Sequence, residues 1–326
     1  MLVAFRKWVK VATFIIVSSL LLFILEDITR LQPWVYTQVF MLILLSLSKE
    51  KRSRAILFGI LLIFSSTYFW SGIQKINLGF ITNVVPWYLS KPFGFDLYLG
   101  LKTNIPTSYL GFFIIPLIEI LIGILLLFNK TRKKAIAIAI VMHLLILFFL
   151  SPIGHNWNHV VWIWNISLIL LLITILRENI AFVKSNFKLL RLNYFVFIMF
   201  IIMPIFNFFG YWDSNLSGML YSGTISKMTY YSQQSNELVN SRKREDFIKK
   251  KEINTEKKPK TDILYWAYQD INVFGYPEPR YYKRIAKHLC ITSKKKSDVI
   301  EIIIKEKFTA KQKIESCSCQ ELLTKN

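Results

Sequence analysis

Residues 108–150 read SYLGFFIIPLIEILIGILLLFNKTRKKAIAIAIVMHLLILFFL, two apolar runs, Ser108 to Phe128 and Ala135 to Leu150, joined by a turn that carries Lys130, Arg132, Lys133 and Lys134. A helix needs about 20 apolar residues to cross the hydrocarbon of a bilayer, so each run is read as one crossing and the basic turn as the loop between them. The pattern continues in both directions. Further apolar blocks run from Val9 to Leu25, Trp34 to Leu47, Ala55 to Ile73, Val160 to Leu176 and Leu192 to Phe209, which brings the expected number of spans to about seven. A soluble chain would scatter its apolar residues at a period of 3.6 or 2 instead of gathering them in blocks. The second block is short and reads as a tilted or partly re-entrant segment. The first follows Arg6, Lys7 and Lys10 as a signal peptide would, yet it runs into Glu26 and Asp27 without a small-residue cleavage site and is read as a retained span.

The chain is 53% hydrophobic and 15% aromatic, and still carries a formal charge of +21 from 41 basic and 20 acidic side chains. Those two properties belong to different regions. Beyond residue 209 the apolar blocks stop, and Arg242-Lys-Arg-Glu-Asp, Lys249-Lys-Lys, Lys257, Lys258 and Lys260 mark a charged segment. After it come Tyr265-Trp-Ala-Tyr268, the turn Gly275-Tyr-Pro-Glu-Pro279, a helical stretch from Arg280 to Leu289 and the strand-like Val299 to Ile304. The expected architecture is an all-α polytopic membrane bundle over 1–209, a charged linker over 210–262, and a small basic extramembrane α+β domain over 263–326. All three cysteines fall in that last domain: Cys290 can pair with Cys319 or with Cys317, and a Cys317, Cys319 dithiol is a third arrangement. The spans hold none, which argues against a membrane thiol oxidoreductase working through a Cys-x-x-Cys pair.

Basic residues set the expected orientation. The N-terminus and the second, fourth and sixth loops hold 15 of them, against 4 in the first, third and fifth. The positive-inside rule then places the N-terminus in the cytoplasm, and seven crossings leave the C-terminal domain outside the inner (plasma) membrane. Residues 210–326 together carry 22 basic and 14 acidic side chains, but long domains translocate largely regardless of charge. Their positive balance favours contact with anionic membrane lipids, and nucleic acid is not expected as a partner on the outer face.

This orientation puts the third loop, about 74–107, and the fifth, about 151–159, on the same outer side. The third span ends Tyr68-Phe-Trp-Ser-Gly72-Ile-Gln-Lys75, so Tyr68, Gly72 and Lys75 stand at i, i+4 and i+7 on one helical face. Gly72 admits a neighbouring helix or a substrate, and a lysine at the edge of hydrocarbon is a candidate base; the alternative is a lysine that snorkels to the interface as an anchor. The fifth loop reads Pro152-Ile-Gly-His155-Asn-Trp157-Asn158-His159, a polar cluster expected to contact a substrate. If a helix begins near Asn156, His155 and His159 take the i, i+4 spacing that chelates metals, but a third ligand is not apparent and no metal site is assigned. Glu119 and His143 lie near mid-membrane on adjacent spans and are read as a pair that handles protons or as a neutral structural contact.

The aromatic and Gly-x-x-Lys stretch from Tyr68 to Lys75, with Pro116-Leu-Ile-Glu119 and Gly123, resembles the DoxX-like membrane proteins over about 55–176, four helices. It is also distantly similar to the horizontally transferred transmembrane domain of vitamin K-dependent gamma-carboxylases. The resemblance implies a redox-associated protein that binds a quinone or other lipophilic molecule, with a quinone or an extracytoplasmic redox protein as partner. In the carboxylase branch a lysine at the matching place is the base, which implies that role for Lys75. The competing expectation is a non-enzymatic scaffold that presents the basic C-terminal domain to a partner.

Overall fold

The computed structural model describes residues 2–47, 53–90, 113–176, 178, 180, 184–231, 260–293, 298–305 and 312–324. They fall into two compact units, one up to Ile225 and one from Ser226 onward.

The first unit is helical. Its elements are α1 (Leu2–Glu26), α2 (Pro33–Ser46), α3 (Ser53–Lys75), the short α4 (Val85–Ser90), α5 (Ile114–Leu126), α6 (Asn129–Leu150), α7 (His159–Leu176) and α8 (Leu192–Phe209). Among the described residues five helices are long and apolar enough to cross a membrane: Trp8–Glu26 within α1, then α3, α6, α7 and α8, of 19, 23, 22, 18 and 18 residues. The remaining two apolar blocks form shorter helices, α2 with 14 residues and α5 with 13. Pro33 opens α2 where no N–H is needed, and Pro204 lies where α8 changes from π to 3-10 geometry, because it has no N–H to continue the ladder. Residues 108–112 of the block expected from Ser108, the loop residues Lys49, Lys51, Arg52, Lys91 and Lys102, and Arg177 lie outside the described residues.

The most apolar-enclosed of these helices is α3. Its membrane-length window is 72% buried, against 28% for α6, α7 and α8 and 6% for α1. Two glycines set how near α5 comes. A Cβ at Gly72 would stand 2.5 Å from the Pro116 carbonyl oxygen, and one at Gly123 would stand 2.6 Å from that of Ser65. Ser65 Oγ uses the second approach to donate to the Gly123 carbonyl at 2.5 Å. At the far end of α5 the buried Arg132 donates to the carbonyls of Leu126, Leu127, Glu178 and Ile180 and to Asn129 Oδ1, which answers helix-terminal carbonyls that hydrocarbon leaves unsatisfied. On the other side of α3, Trp70 Nε1 donates to the Ile201 carbonyl of α8 at 3.1 Å, while Tyr36 of α2 stacks on Phe200 with centroids 4.5 Å apart.

The second unit is a four-stranded antiparallel sheet with helices. The strands are β1 (Lys227–Tyr231), β2 (Lys260–Asp262), β3 (Val299–Lys305) and β4 (Gln312–Ser318), in the order β2-β1-β3-β4, with Thr229 opposite Glu301 and Ile300 opposite Cys317. Helices α9 (Ile263–Ile271), α10 (Pro279–Ser293) and α11 (Cys319–Thr324) complete it. In α10, Tyr282, Ala286 and Cys290 recur every four residues and are buried against β1 and β3, whose inward residues are Met228, Tyr230, Ile300 and Ile302. Of the three cysteine arrangements, the structure has Cys290 bonded to Cys319. The structure differs from the expected linker over 210–262. Residues 210–225 belong to the helical unit, and Lys227–Tyr231 is an inner strand, because Met228 and Tyr230 alternate inward while Tyr231 donates to Glu301 at 2.7 Å. Residues 232–259 lie outside the described residues.

The glycine contacts predict that Gly72→Ala and Gly123→Ala each cost about 1–3 kcal/mol, since each new methyl meets backbone instead of a side chain that can turn away. Thermal unfolding in detergent measures it. An unchanged midpoint in both variants would mean that α3 and α5 do not approach this closely.

Candidate functional site

Helices α3, α5, α6 and α7 line a partly open cavity of about 270 Å³. Most of its wall is apolar, with Ile115, Met142, Ile146, Phe149, Val161 and Leu168 prominent, and α4 with residues 218–221 adds Val85, Tyr88 and Tyr221. Polar side chains gather into two groups on this wall.

The first group is an ion pair. Lys75 at the C-terminal end of α3 donates to both carboxylate oxygens of Glu119 at 2.7 Å and to Ser71 Oγ, one turn earlier, at 2.8 Å. The side chains of Lys75 and Glu119 are 11% and 6% exposed, so the pair is buried. The geometry follows from the helix contact. Gly72 lets the backbones of α3 and α5 close up, and Glu119 is one turn beyond Pro116, the residue against which Gly72 packs.

The second group is a chain of three. Tyr68 Oη lies 2.6 Å from His143 Nε2, and His143 Nδ1 lies 2.7 Å from Asn165 Oδ1. Asn165 Nδ2 in turn donates to the Val161 carbonyl one turn back on α7 at 2.7 Å. Tyr68, His143 and Asn165 are all buried.

Of the residues singled out from sequence, the structure gathers Tyr68, Lys75, Glu119 and His143 on one cavity. The expected contact between Glu119 and His143 is not the one formed: each has another partner, because α5 turns its carboxylate to Lys75 of α3 and α6 turns its imidazole between α3 and α7. Gly72 does not line the cavity and serves the contact between α3 and α5. Lys75 is directed at Glu119 and Ser71, not outward as an anchor.

The fifth-loop residues stand behind the cavity wall. His155 stacks on Trp87 with centroids 4.1 Å apart and donates from Nε2 to the Tyr88 carbonyl at 3.3 Å. Trp157 meets Trp87 edge-on with centroids 6.4 Å apart, and Asn158 Nδ2 donates to Tyr221 Oη at 3.0 Å. They brace Tyr88 and Tyr221, which do line the cavity. His159 is exposed, 3.3 Å from Asn156 Oδ1, and meets Trp162 edge-on. The helix begins at His159, not Asn156, because Asn156 and Asn158 take positive φ of 47° and 53°, so the two histidines do not share a helical turn.

Sequence reasoning passed over Ser71, Asn165, Tyr88 and Tyr221. Asn165 did leave a signal, a carboxamide inside an apolar span, whereas nothing in the sequence ties Tyr221 to helices more than 40 residues earlier. No protein-family model, curated protein or solved structure matches this chain.

Removing one partner of a buried ion pair strands the other, so Lys75→Met alone is predicted to cost about 3–5 kcal/mol. The double variant Lys75→Met with Glu119→Leu should recover most of that loss. Thermal unfolding of the purified proteins decides it; a Lys75→Met variant as stable as the parent would mean that the pair does not form.

Proposed function

We propose that this is a polytopic membrane protein of seven spans that takes a quinone-type or similarly lipophilic molecule into the cavity between α3, α5, α6 and α7. The observation that carries the reading is an apolar cavity of about 270 Å³ whose polar side chains are a buried ion pair and a hydrogen-bonded chain, beside Thr67, Ser71 and two tyrosines. Apolar walls with a few fixed polar groups are the usual makeup of a small-molecule site. The volume suits a ring and a short substituent, so a longer tail would leave between helices into the lipid. Molecules of that shape partition into bilayers already, and a cavity inside the bundle meets them there.

The same reading places the N-terminus in the cytoplasm and the C-terminal unit outside the inner membrane. Loop charges support the first, and the buried disulfide between Cys290 and Cys319 supports the second, since structural disulfides persist in oxidising compartments. The DoxX-like relationship over 55–176 is proposed on the same footing, from the Tyr68 to Lys75 stretch and Glu119.

The test is equilibrium binding of radiolabelled decylubiquinone to the purified protein in nanodiscs, with extraction of copurified quinones as a second reading. Saturable binding is expected, and Val161→Phe, which fills the cavity from α7, should weaken it about tenfold or more. Absence of saturable binding, or equal binding by Val161→Phe, would overturn the reading.

A further inference from the structure

Of the two polar groups on the cavity wall, only one is arranged to accept a proton. Lys75 has three N–H bonds, and all three are given away, two to Glu119 and one to Ser71. An ammonium in that state offers no lone pair to an incoming molecule, and protonating the Glu119 carboxylate would leave that ammonium buried without its countercharge.

The chain from Tyr68 through His143 to Asn165 is different, and its hydrogen-bond directions can be worked out from one end. Because Asn165 Nδ2 donates to the Val161 carbonyl, it is the carbonyl oxygen Oδ1 that meets His143, and a carbonyl oxygen only accepts. The proton of a neutral His143 therefore sits on Nδ1. That leaves a lone pair on Nε2, and Tyr68 Oη donates to it at 2.6 Å. The phenol oxygen keeps its own lone pairs, and Tyr68 lines the cavity.

We infer that Tyr68 is the group that takes a proton from a hydroxyl-bearing molecule in the cavity, that His143 receives the proton Tyr68 gives up, and that Asn165 is the positioning residue that keeps His143 in the tautomer able to do so. The inference rests on the cavity being the binding site proposed above. In the step, the O–H bond of the bound molecule breaks and its proton joins Tyr68 Oη, while the original phenolic proton moves to His143 Nε2. An oxyanion and an imidazolium result, the latter still donating from Nδ1 to Asn165; one proton has moved from the bound molecule to the imidazole, and no electron has moved. A base held in place by a third group is the general form of such relays.

The tautomer can be read without any bound molecule. The chain has four histidines, so nitrogen NMR of histidine-labelled full-length protein in nanodiscs is tractable, with His143→Gln assigning the signals. In the parent, His143 is expected to be neutral with a protonated Nδ1 and an unprotonated Nε2. Asn165→Leu should shift it toward Nε2 protonation, and Asn165→Asp, which keeps an acceptor oxygen, should hold the proton on Nδ1. An unprotonated Nδ1 in the parent, or no change in Asn165→Leu, would overturn the inference.

A second measurement uses a 4-nitrophenol carrying a nonyl chain, whose phenolate absorbs in the visible. The other titratable side chains lining the cavity are Lys75, Glu119, Tyr88 and Tyr221. Bound to the parent, the probe is expected to ionise about one pH unit lower than when bound to Tyr68→Phe, a tenfold change. If the probe ionises at the same pH in the parent and in Tyr68→Phe, and at a higher pH in Lys75→Met, the ion pair sets its ionisation and the inference fails. Failure of the probe to bind counts against the cavity as a binding site, and the tautomer of His143 still decides the role of Asn165.

Discussion

The close approach of α3 and α5 is the constraint from which the candidate site follows. Transmembrane helices gain little from burying apolar side chains against one another, because lipid is as apolar as the helix surface they would cover. What brings two of them together is contact without intervening side chains and hydrogen bonds that lipid cannot replace. Gly72 and Gly123 supply the first, at two points about two helical turns apart on α5, and Ser65 donating to the Gly123 carbonyl adds the second. Once the backbones are that near, Lys75 and Glu119 reach one another with no space left for water between them. The ion pair is thus a consequence of the helix contact as well as a reinforcement of it. Either charge alone in the apolar interior would be costly, so the pair also selects α5 over other helices as the neighbour of α3.

The same logic governs the other buried polar groups, and each shows how hydrocarbon is satisfied differently. Arg132 has no carboxylate partner among the described residues and is answered by backbone carbonyls at the end of α5 and beyond the end of α7. That makes it a staple of the bundle end. The chain of Tyr68, His143 and Asn165 is neutral and needs no countercharge, but it needs three helices at once, α3, α6 and α7, for its directions to be consistent. A helix missing from the bundle would leave an imidazole or a carboxamide in lipid with nothing to bond to. The polar residues therefore specify which helices are neighbours, in a setting where apolar packing specifies little.

Much of this was legible in the sequence, for reasons that can be traced residue by residue. The apolar blocks gave the helices, since hydropathy and length alone mark a membrane-length segment. Ionisable residues inside those blocks gave Glu119 and His143, because such residues are costly and stand out, and Lys75 was marked by its place at the edge of one, two residues past Ile73 and on one helical face with Tyr68 and Gly72. What the sequence could not give was who pairs with whom. Spacing along one helix says nothing of the rotation of the next, and so Glu119 was matched to His143 when α5 in fact turns it toward Lys75. The fifth loop misled in another way: two histidines four apart read as one helical turn until the left-handed Asn156 and Asn158 delay the helix start to His159. Asparagine adopts that conformation more readily than most residues, but sequence alone does not require it. The strand at Lys227–Tyr231 was hidden for a third reason, since a five-residue strand is recognisable only beside partners that lie some 30 and 70 residues later.

Helices that line a cavity forgo the dispersion contacts they would make by touching one another, so they should close together unless something holds them apart. Here the candidates are visible. Tyr68, His143 and Asn165 hold α3, α6 and α7 at hydrogen-bonding separation, and shortening any of those distances would compress a contact already at 2.6 or 2.7 Å. Lys75 and Glu119 fix α3 against α5 in the same way. Trp87, which stacks on His155 and lies nearly parallel to Tyr221, with Asn158 bonded to Tyr221, stiffens the remaining side, where α4 and residues 218–221 would otherwise be the easiest part to fold inward. The polar residues of the candidate site and the residues that keep the space open are thus largely the same, and the cavity is a product of the hydrogen-bond geometry more than of poor packing. A pocket built this way has a fixed shape before anything enters it, which is the condition under which a hydrogen-bonded chain can meet an incoming hydroxyl without first rearranging.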